Sequence, residues 1–520
     1  MNLRDTTIGI EFGSTRIKAV MIDRRHNAIA SGSYGWENTL SNGIWTYSMQ
    51  EVLFGLQSCF KDLKMDFERR FGQRLTATGA IGISAMMHGY IALDDHDRLL
   101  VPFRTWRNTT TGEAAAELTE LFDFNIPQRW SVAHLYQAVL NNEEHVPMVS
   151  KVATLASYVH YLLTGCFVSG VGDASGMFPI DSTTITYDKK MEGKFNALLS
   201  KKGLKLKLDS VLPKVLKAGD DAGFLTSEGS LIIDPTGEFE SGIRMAPPEG
   251  DAGTGMVATN SVAVYTGNVS AGTSDFAMVV LDHIPGRHRE LDLVTTPSGE
   301  AVAMVHCNNC TTDIDNWIGL FGDFAKEFGM DIPKDELFSK LYGIALEGEP
   351  DCGGLLSCNY HSGEGVTDFD RGLPMFLHPT ESRMSVANFM RCHLYSALST
   401  LKIGMDVLKV ENIRINRILA HGGFFKTGMA GQRMLSAALG VPVSSMETAG
   451  EGGPYGMALL CAFMLWNEGE SLASYLEDKV YIGMEVSTIK ADASEFSGFD
   501  AFVANYRRLL EVERKAVEVF

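Results

Sequence analysis

The chain has 520 residues, 45% hydrophobic and 21% charged; a chain this long hides about 75% of the surface its unfolded form exposes and needs no disulfide or metal to fold. Its 45 Lys and Arg against 64 Asp and Glu leave a formal charge of −19, which argues against nucleic-acid binding and against attraction to anionic membranes. Eight cysteines are too sparse for a disulfide scaffold, and the single Cys307-x-x-Cys310 lacks a second pair at zinc spacing, so it reads as two small buried thiols. Residues 1–7 hold no apolar stretch of signal-peptide type, and the longest apolar run, Gly456 to Trp466, is far short of the ~20 residues of a membrane span. A soluble protein of the reducing cytoplasm is expected.

The N-terminus opens with a period-two strand, Ile8 to Phe12, a turn at Gly13-Ser14-Thr15, and a return strand, Ile17 to Asp23. The design recurs half a chain later: Ser261 to Ala271, a turn at Gly272-Thr273-Ser274, then Phe276 to Asp282. The recurrence predicts a duplicated architecture. The Gly- and Pro-rich stretch from Glu238 to Gly250 reads as the crossover, which places the halves at 1–245 and 246–520. Beyond it, a strand at Asn416 to Ala420 runs into Gly422-Gly423-Phe424. A helix from Gly428 to Leu439, a strand from Val441 to Met446 and a helix from Met457 to Trp466 follow, and an amphipathic helix, Arg507 to Glu518, ends the chain. Strands alternating with helices indicate layered α/β domains.

Several constellations could carry chemistry. Each Gly-hydroxyl-hydroxyl turn lets backbone amides and hydroxyls approach a phosphate, and Lys18 could add a point charge. Alone, each turn is an ordinary hairpin; together, in similar halves, they suggest a clamped phosphate chain. Gly422-Gly423 at a strand end would admit a flat ligand against the backbone, and the cluster Gly450, Gly452, Gly453 and Gly456 suggests a second strand opening toward the same nucleotide. Asp251, between Gly250 and Ala252 at a predicted helix start, is either an N-cap or the acceptor of a substrate hydroxyl proton, kept ionised by the helix terminus. Ser84 to Gly89 is a strand running into a polar loop with Met87 and His88. Trp106-Arg107-Asn108 adds the aromatic face and hydrogen-bonding groups that polyol pockets use.

In this order the pieces resemble the FGGY family of carbohydrate kinases, within the superfamily that joins sugar kinases, actin and Hsp70. Ile8 to Asp23 resembles the family's first phosphate hairpin and Ser84 to Gly89 its sugar loop. Leu163-Thr164-Gly165 with Gly172-Asp173-Ala174-Ser175-Gly176 resembles its Leu-Thr-Gly and Asp-x-Ala-Ser-Gly segment. Gly250-Asp251-Ala252 matches its catalytic segment, Gly272-Thr273-Ser274 its second phosphate turn, and Gly422-Gly423 its adenosine motif. The chain departs from the family at Glu11, where the family has a magnesium-holding Asp, at Ala85-Met86, and at Trp106 to Thr110, which lacks the family's Asp and Arg.

The resemblance implies two similar ribonuclease H-like α/β domains with a cleft between them, the first binding sugar and the second ATP. It implies ATP-dependent phosphorylation of a terminal hydroxyl of a ketopentose, D-xylulose or L-ribulose, by a monomer or homodimer. Asp251 would be the catalytic residue. Gly13, Ser14, Thr15, Lys18, Gly272, Thr273, Ser274, Gly422, Gly423 and Phe424 would bind ATP. Met87, His88, Trp106, Asn108 and Asp251 would bind sugar, and Glu11 would help hold Mg2+. Kinases for another polyol or ketose, such as glycerol or a hexulose, and a silent sugar or nucleotide sensor on the same fold are the rival readings. A chaperone-like ATPase is disfavoured, since no peptide-binding domain follows the second half.

Overall fold

A computed structural model describes residues 1–446, 452–484 and 486–520. Gly450 of the glycine cluster lies outside the described residues. The chain divides into two compact units. The first comprises Met1–Val262, Leu293–Val302 and Glu451–Gly483; the second comprises Ala263–Asp292, Ala303–Gly450 and Met484–Phe520. The division is therefore not a single cut near residue 245. The Glu238–Gly250 stretch is no linker either: its short strands Arg244–Met245 and Glu249–Gly250 both pair with Ala80–Ala85 in the first unit.

In the first unit, Thr6–Phe12, Arg16–Asp23 and Ala28–Gly35 form an antiparallel meander, and Ala80–Ala85 adds in parallel to Thr6–Phe12. The apolar residues expected to alternate, Ile8, Ile10, Phe12 and Ile17, are all fully buried. One flank is covered by the helix Met49–Phe71, which Ser48 caps by accepting from the Glu51 N–H and Gly72 ends in the left-handed region. Gly32 lets that helix approach until a Cβ would strike its backbone at Cys59 and Leu63. The helix Gly452–Trp466, which arrives from the far end of the chain, packs on the same sheet. Thr7 Oγ1 donates to the Ala458 carbonyl at 2.8 Å, and a Cβ on Gly9 would overlap the Pro454 carbonyl.

The second unit is built on a sheet with the strand order Ala301–Cys307 (in this unit from Ala303), Asp275–Val280, Thr266–Ala271, Arg417–His421, Val443–Ser445 and Ser487–Ile489. Its hairpin, Thr266–Ala271 with Asp275–Val280, again has a parallel strand beside its first member, Arg417–His421. The duplication anticipated from the sequence is thus present in the backbone, although residues 261–265 are not strand. The buried helix Val386–Val410 packs closely enough for a Cβ on Gly404 to strike Val305. The helix Ala493–Val519 begins at a capping box of Asp492 and Glu495. Among the described residues no helix is long and apolar enough to cross a membrane. All eight cysteines are free thiols.

Candidate active site

Glu11 and Lys18 are direct partners in the register of the first hairpin, so their side chains share one face of it. The hairpin closes with the Gly13 N–H donating to the Arg16 carbonyl at 2.9 Å. Two stacked aromatics then occupy the turn's carbonyls: Trp36 Nε1 donates to Gly13 at 2.7 Å and the Tyr47 hydroxyl to Ser14 at 2.6 Å. With those acceptors taken, the half-buried Ser14 and the exposed Thr15 and Lys18 leave a surface weighted toward donors, which suits an anion.

Asp251 is positioned from the opposite edge of Ala80–Ala85. The pairing Gly250↔Ala85 brings the start of the helix Asp251–Ala258 level with the sugar loop, where the Met87 N–H donates to Asp251 Oδ1 at 3.2 Å. The capping alternative fails: Gly250 is the N-cap and Asp251 lies within the first helical turn. The expectation that the helix terminus simply keeps this carboxyl ionised also needs correction. Burial lifts it to about 6, against the opposing pull of the Met87 and Ala252 amides. At neutral pH it is still largely ionised, and it is a better base than an ordinary aspartate.

Glu11 is lifted further, to about 8, by burial and then by repulsion from Asp251, with Lys18 opposing. The Gly452–Trp466 helix closes over it: a Cβ on Gly453 would overlap Glu11 Oε2 and come within 3.0 Å of Thr254 Oγ1. Gly456 similarly makes room for the Thr254 carbonyl, while Thr254 Oγ1 meets Ser84 Oγ at 3.1 Å. Gly453 and Gly456 therefore serve the first unit as close-packing positions, Gly453 beside Glu11 and Gly456 against Thr254.

Two further carboxyls that sequence reading gave no role lie behind Asp251. Glu249 accepts from the amides of Gly172 at 3.2 Å, Asp173 at 3.0 Å and Gly250 at 3.3 Å, and burial, then Asp173, raise it to about 8. Asp173 accepts from Thr154, Ser169 and Ser157, and burial raises it to about 7 despite those donors. Their sequence trace is faint: Gly170 and Gly172 lack side chains because the Glu249 carboxylate fills that space.

In the sugar loop, Met87 and His88 are buried, and His88 sits at φ +71°. Its Nδ1 is 3.2 Å from the Gly176 carbonyl, and its ring stacks on Trp130 with centroids 6.4 Å apart. Trp106 is half-buried and packs against the core of the first unit. Asn108 departs from expectation. Its Oδ1 accepts from the Trp45 N–H, and its Nδ2 donates to the carbonyls of Trp45 and Thr105, each at 2.9 Å. The amide is thus engaged in fixing its own loop to Trp45 and Thr105.

In the second unit, Gly272-Thr273-Ser274 caps its hairpin with the Gly272 N–H donating to Ser274 at 2.9 Å, leaving Thr273 and Ser274 exposed. The Gly422 turn is its direct neighbour: Ser270 pairs with His421, and a Cβ on Gly422 (φ +101°) would strike the Ala271 carbonyl. Two glycine turns thus open side by side at the carboxyl ends of adjacent parallel strands, the place where α/β sheets take nucleotides. Phe424 is corrected: it is buried against Tyr342 and Phe425, so only its backbone borders the turn. Asp275, directly after the turn, is fully buried. Burial and the neighbouring Glu364 push it well above the carboxylate range, so it stays neutral and does not repel a phosphate.

Among the described residues no group of three His, Cys, Asp or Glu side chains is arranged to hold a metal. Glu11, a hard oxygen donor in a spot short of positive charge, fits a magnesium ion whose remaining ligands are phosphate oxygens and water.

These units and this acid–base site define a phosphoryl-transfer enzyme of the sugar-kinase type. The chain matches the FGGY family of carbohydrate kinases, N-terminal domain, over residues 6–233 and its C-terminal domain over 267–465, and it belongs to that family. It is 23% identical over 483 residues to a xylulose kinase of Haemophilus influenzae (86% of this chain, 91% of that one). It is 22% identical over 440 residues to a xylulose kinase of Lactococcus lactis (80% and 79%). In fold it is similar to a xylulose kinase of Brucella ovis (TM-score 0.80, 18% identity, 98% and 100% covered). A glycerol kinase of Plasmodium falciparum with ADP is similar too (0.77, 15%, 98% of each). The protein is a carbohydrate kinase.

Proposed function

We propose that this kinase transfers the γ-phosphoryl group of ATP to a terminal hydroxyl of a ketopentose, with D-xylulose the first substrate to test and L-ribulose the second. The observation that carries the reading is Asp251: a half-buried carboxylate of raised basicity, hydrogen-bonded to the Met87 amide of the sugar loop. The relatives' names support the substrate class.

In this mechanism the sugar lies along Met87 and His88, and its terminal hydroxyl donates to Asp251. The proton passes to Asp251 as the phosphoryl group is transferred, in keeping with a loose transition state that needs positioning more than strong base catalysis. Lys18 and the donors of Gly13–Thr15 offset charge on the phosphate oxygens, and Gly272–Ser274 with Gly422-Gly423 hold the nucleotide. Magnesium, held by Glu11 and the phosphates, would supply charge neutralisation there. Glu249, near 8, stays largely protonated at neutral pH and Asp173, near 7, is partly so, which limits the negative charge behind Asp251.

The test is ADP release over a panel of pentuloses, hexuloses and polyols. Stimulation by pentuloses above all others supports the reading. Stimulation by glycerol or a hexulose instead moves the substrate. Bound ATP with no stimulation by any of them replaces the kinase with a sensor.

A further inference from the structure

The Cys307-x-x-Cys310 segment finds its use in its spacer. Asn309, only 4% exposed, donates through Nδ2 to Glu364 Oε2 at 3.0 Å, and the Asn308 N–H donates to the same oxygen at 2.9 Å. Asn309 Oδ1 in turn accepts from the amides of His361 at 2.9 Å and Ser362 at 3.0 Å. Asn359, 2% exposed, grips the segment from the other side, its Nδ2 donating to the carbonyls of Asn309 at 3.2 Å and Cys310 at 3.1 Å. The held segment then reaches the phosphate turn: the Cys310 N–H donates to Thr273 and the Thr311 N–H to Gly272, each at 3.0 Å. Every link is a hydrogen bond within the second unit. Glu364 is 1% exposed and enters the clasp through Oε2 alone, and burial raises its carboxyl to about 7.

The geometry points to Glu364, acting through Asn308 and Asn309, as the positioning residue that sets the Gly272–Ser274 turn for the nucleotide's phosphates. This rests on the kinase reading for its consequence but not for its structural content. A buried carboxyl oxygen accepting from two donors fixes the backbone of 308–311, and the turn inherits that fixity because its Thr273 and Gly272 carbonyls accept from Cys310 and Thr311. A turn released from the clasp would still exist as a hairpin end, but its donors would have to be ordered anew by each nucleotide.

The experiment uses the full chain. Glu364→Ala and Asn309→Ala should raise KM for ATP by about tenfold, the equivalent of one hydrogen bond, with kcat and KM for the sugar within about twofold. Glu364→Gln, whose amide oxygen can accept both bonds, should restore most of the loss. Unchanged KM for ATP in the folded alanine variants, or a Gln variant as impaired as Ala, overturns the assignment. Hydrogen exchange on the wild-type protein decides independently of activity and of how the variants fold. The amides of Asn308, Cys310, Thr311, His361 and Ser362 should exchange as one class. Free exchange at Cys310 and Thr311 with the others protected would overturn the clasp. A protein that binds no adenine nucleotide would retire the kinase reading, and the exchange result would still decide the role of Glu364.

Discussion

Gly13-Ser14-Thr15 and Gly272-Thr273-Ser274 each end an antiparallel hairpin whose first strand has a parallel neighbour on its other side. The two turns are nevertheless held and charged differently. The first is clamped by side chains, Trp36 and Tyr47, and flanked by the cross-strand pair Glu11 and Lys18. The second is clamped by backbone, from 310–311 and Gly422, and its adjoining acid, Asp275, is neutralised by burial. A similar local sequence therefore yields one turn flanked by a charged cross-strand pair and one whose adjoining acid is neutral. The surroundings, not the turn residues, decide which.

The strongest way to test that division is Asp251→Asn. It should lower kcat on the order of 10²-fold or more and leave ATP affinity nearly unchanged. Near-normal kcat in the folded variant would sink the mechanism. In the wild type, kcat/KM should fall with an acid limb near the Asp251 value of about 6, because the base is lost on protonation; a profile flat down to pH 5 would contradict it. Next in size, Glu11→Gln should raise the magnesium concentration for half-maximal rate by about tenfold, one charge-assisted contact, while Glu11→Asp keeps measurable activity. Unchanged magnesium dependence would remove Glu11 from the site.

For the second region, Gly422→Ala forces a Cβ into the positive-φ position against the Ala271 carbonyl. It should cost about 1–3 kcal/mol of stability and raise KM for ATP. Equal urea midpoints would show that the backbone there yields. Tyr47→Phe removes one donor from the first turn and should cost about 0.5–1.5 kcal/mol, felt as a modest rise in KM for ATP. The smallest effect is on stability against pH. Glu11 and Glu249, near 8, bind more protons folded than unfolded above about pH 4.3, so their contribution falls as pH rises. Buried His134, near 3, and His160 and His421, near 4, act in the opposite sense, but only below about pH 6.5. The urea midpoint should therefore drop between roughly pH 6.5 and 8; a rise over that window would refute a protonated Glu11 and Glu249.

What the sequence disclosed was what is local. The hairpins, the parallel strands and the Asp251 helix follow from period-two runs and glycine punctuation, and the duplication follows from seeing the pattern twice. What it concealed depends on partners far along the chain. Gly453 could not be assigned to Glu11 across more than four hundred residues, nor could Asn108 be seen to be occupied by Trp45. The resemblance implied ATP binding for Phe424, and its packing on Tyr342 shows that its side chain is core. Asp251 is proposed for the same role on a different physical ground, since burial outweighs the helix terminus in setting its basicity.

The helix Gly452–Trp466 carries one more consequence. The part of the sheet it covers, Thr6–Phe12, Arg16–Asp23 and Ala80–Ala85, lies within the first 85 residues, with the Gly9 and Gly82 backbones shaped to receive Pro454, Met457 and Ala458. At about 5–20 residues per second, a ribosome finishes that sheet tens of seconds before the helix exists. Nascent chains must therefore carry an exposed apolar sheet face through most of their synthesis. A chain truncated before Gly452 should therefore leave that apolar sheet face uncovered and aggregate more readily than the full chain.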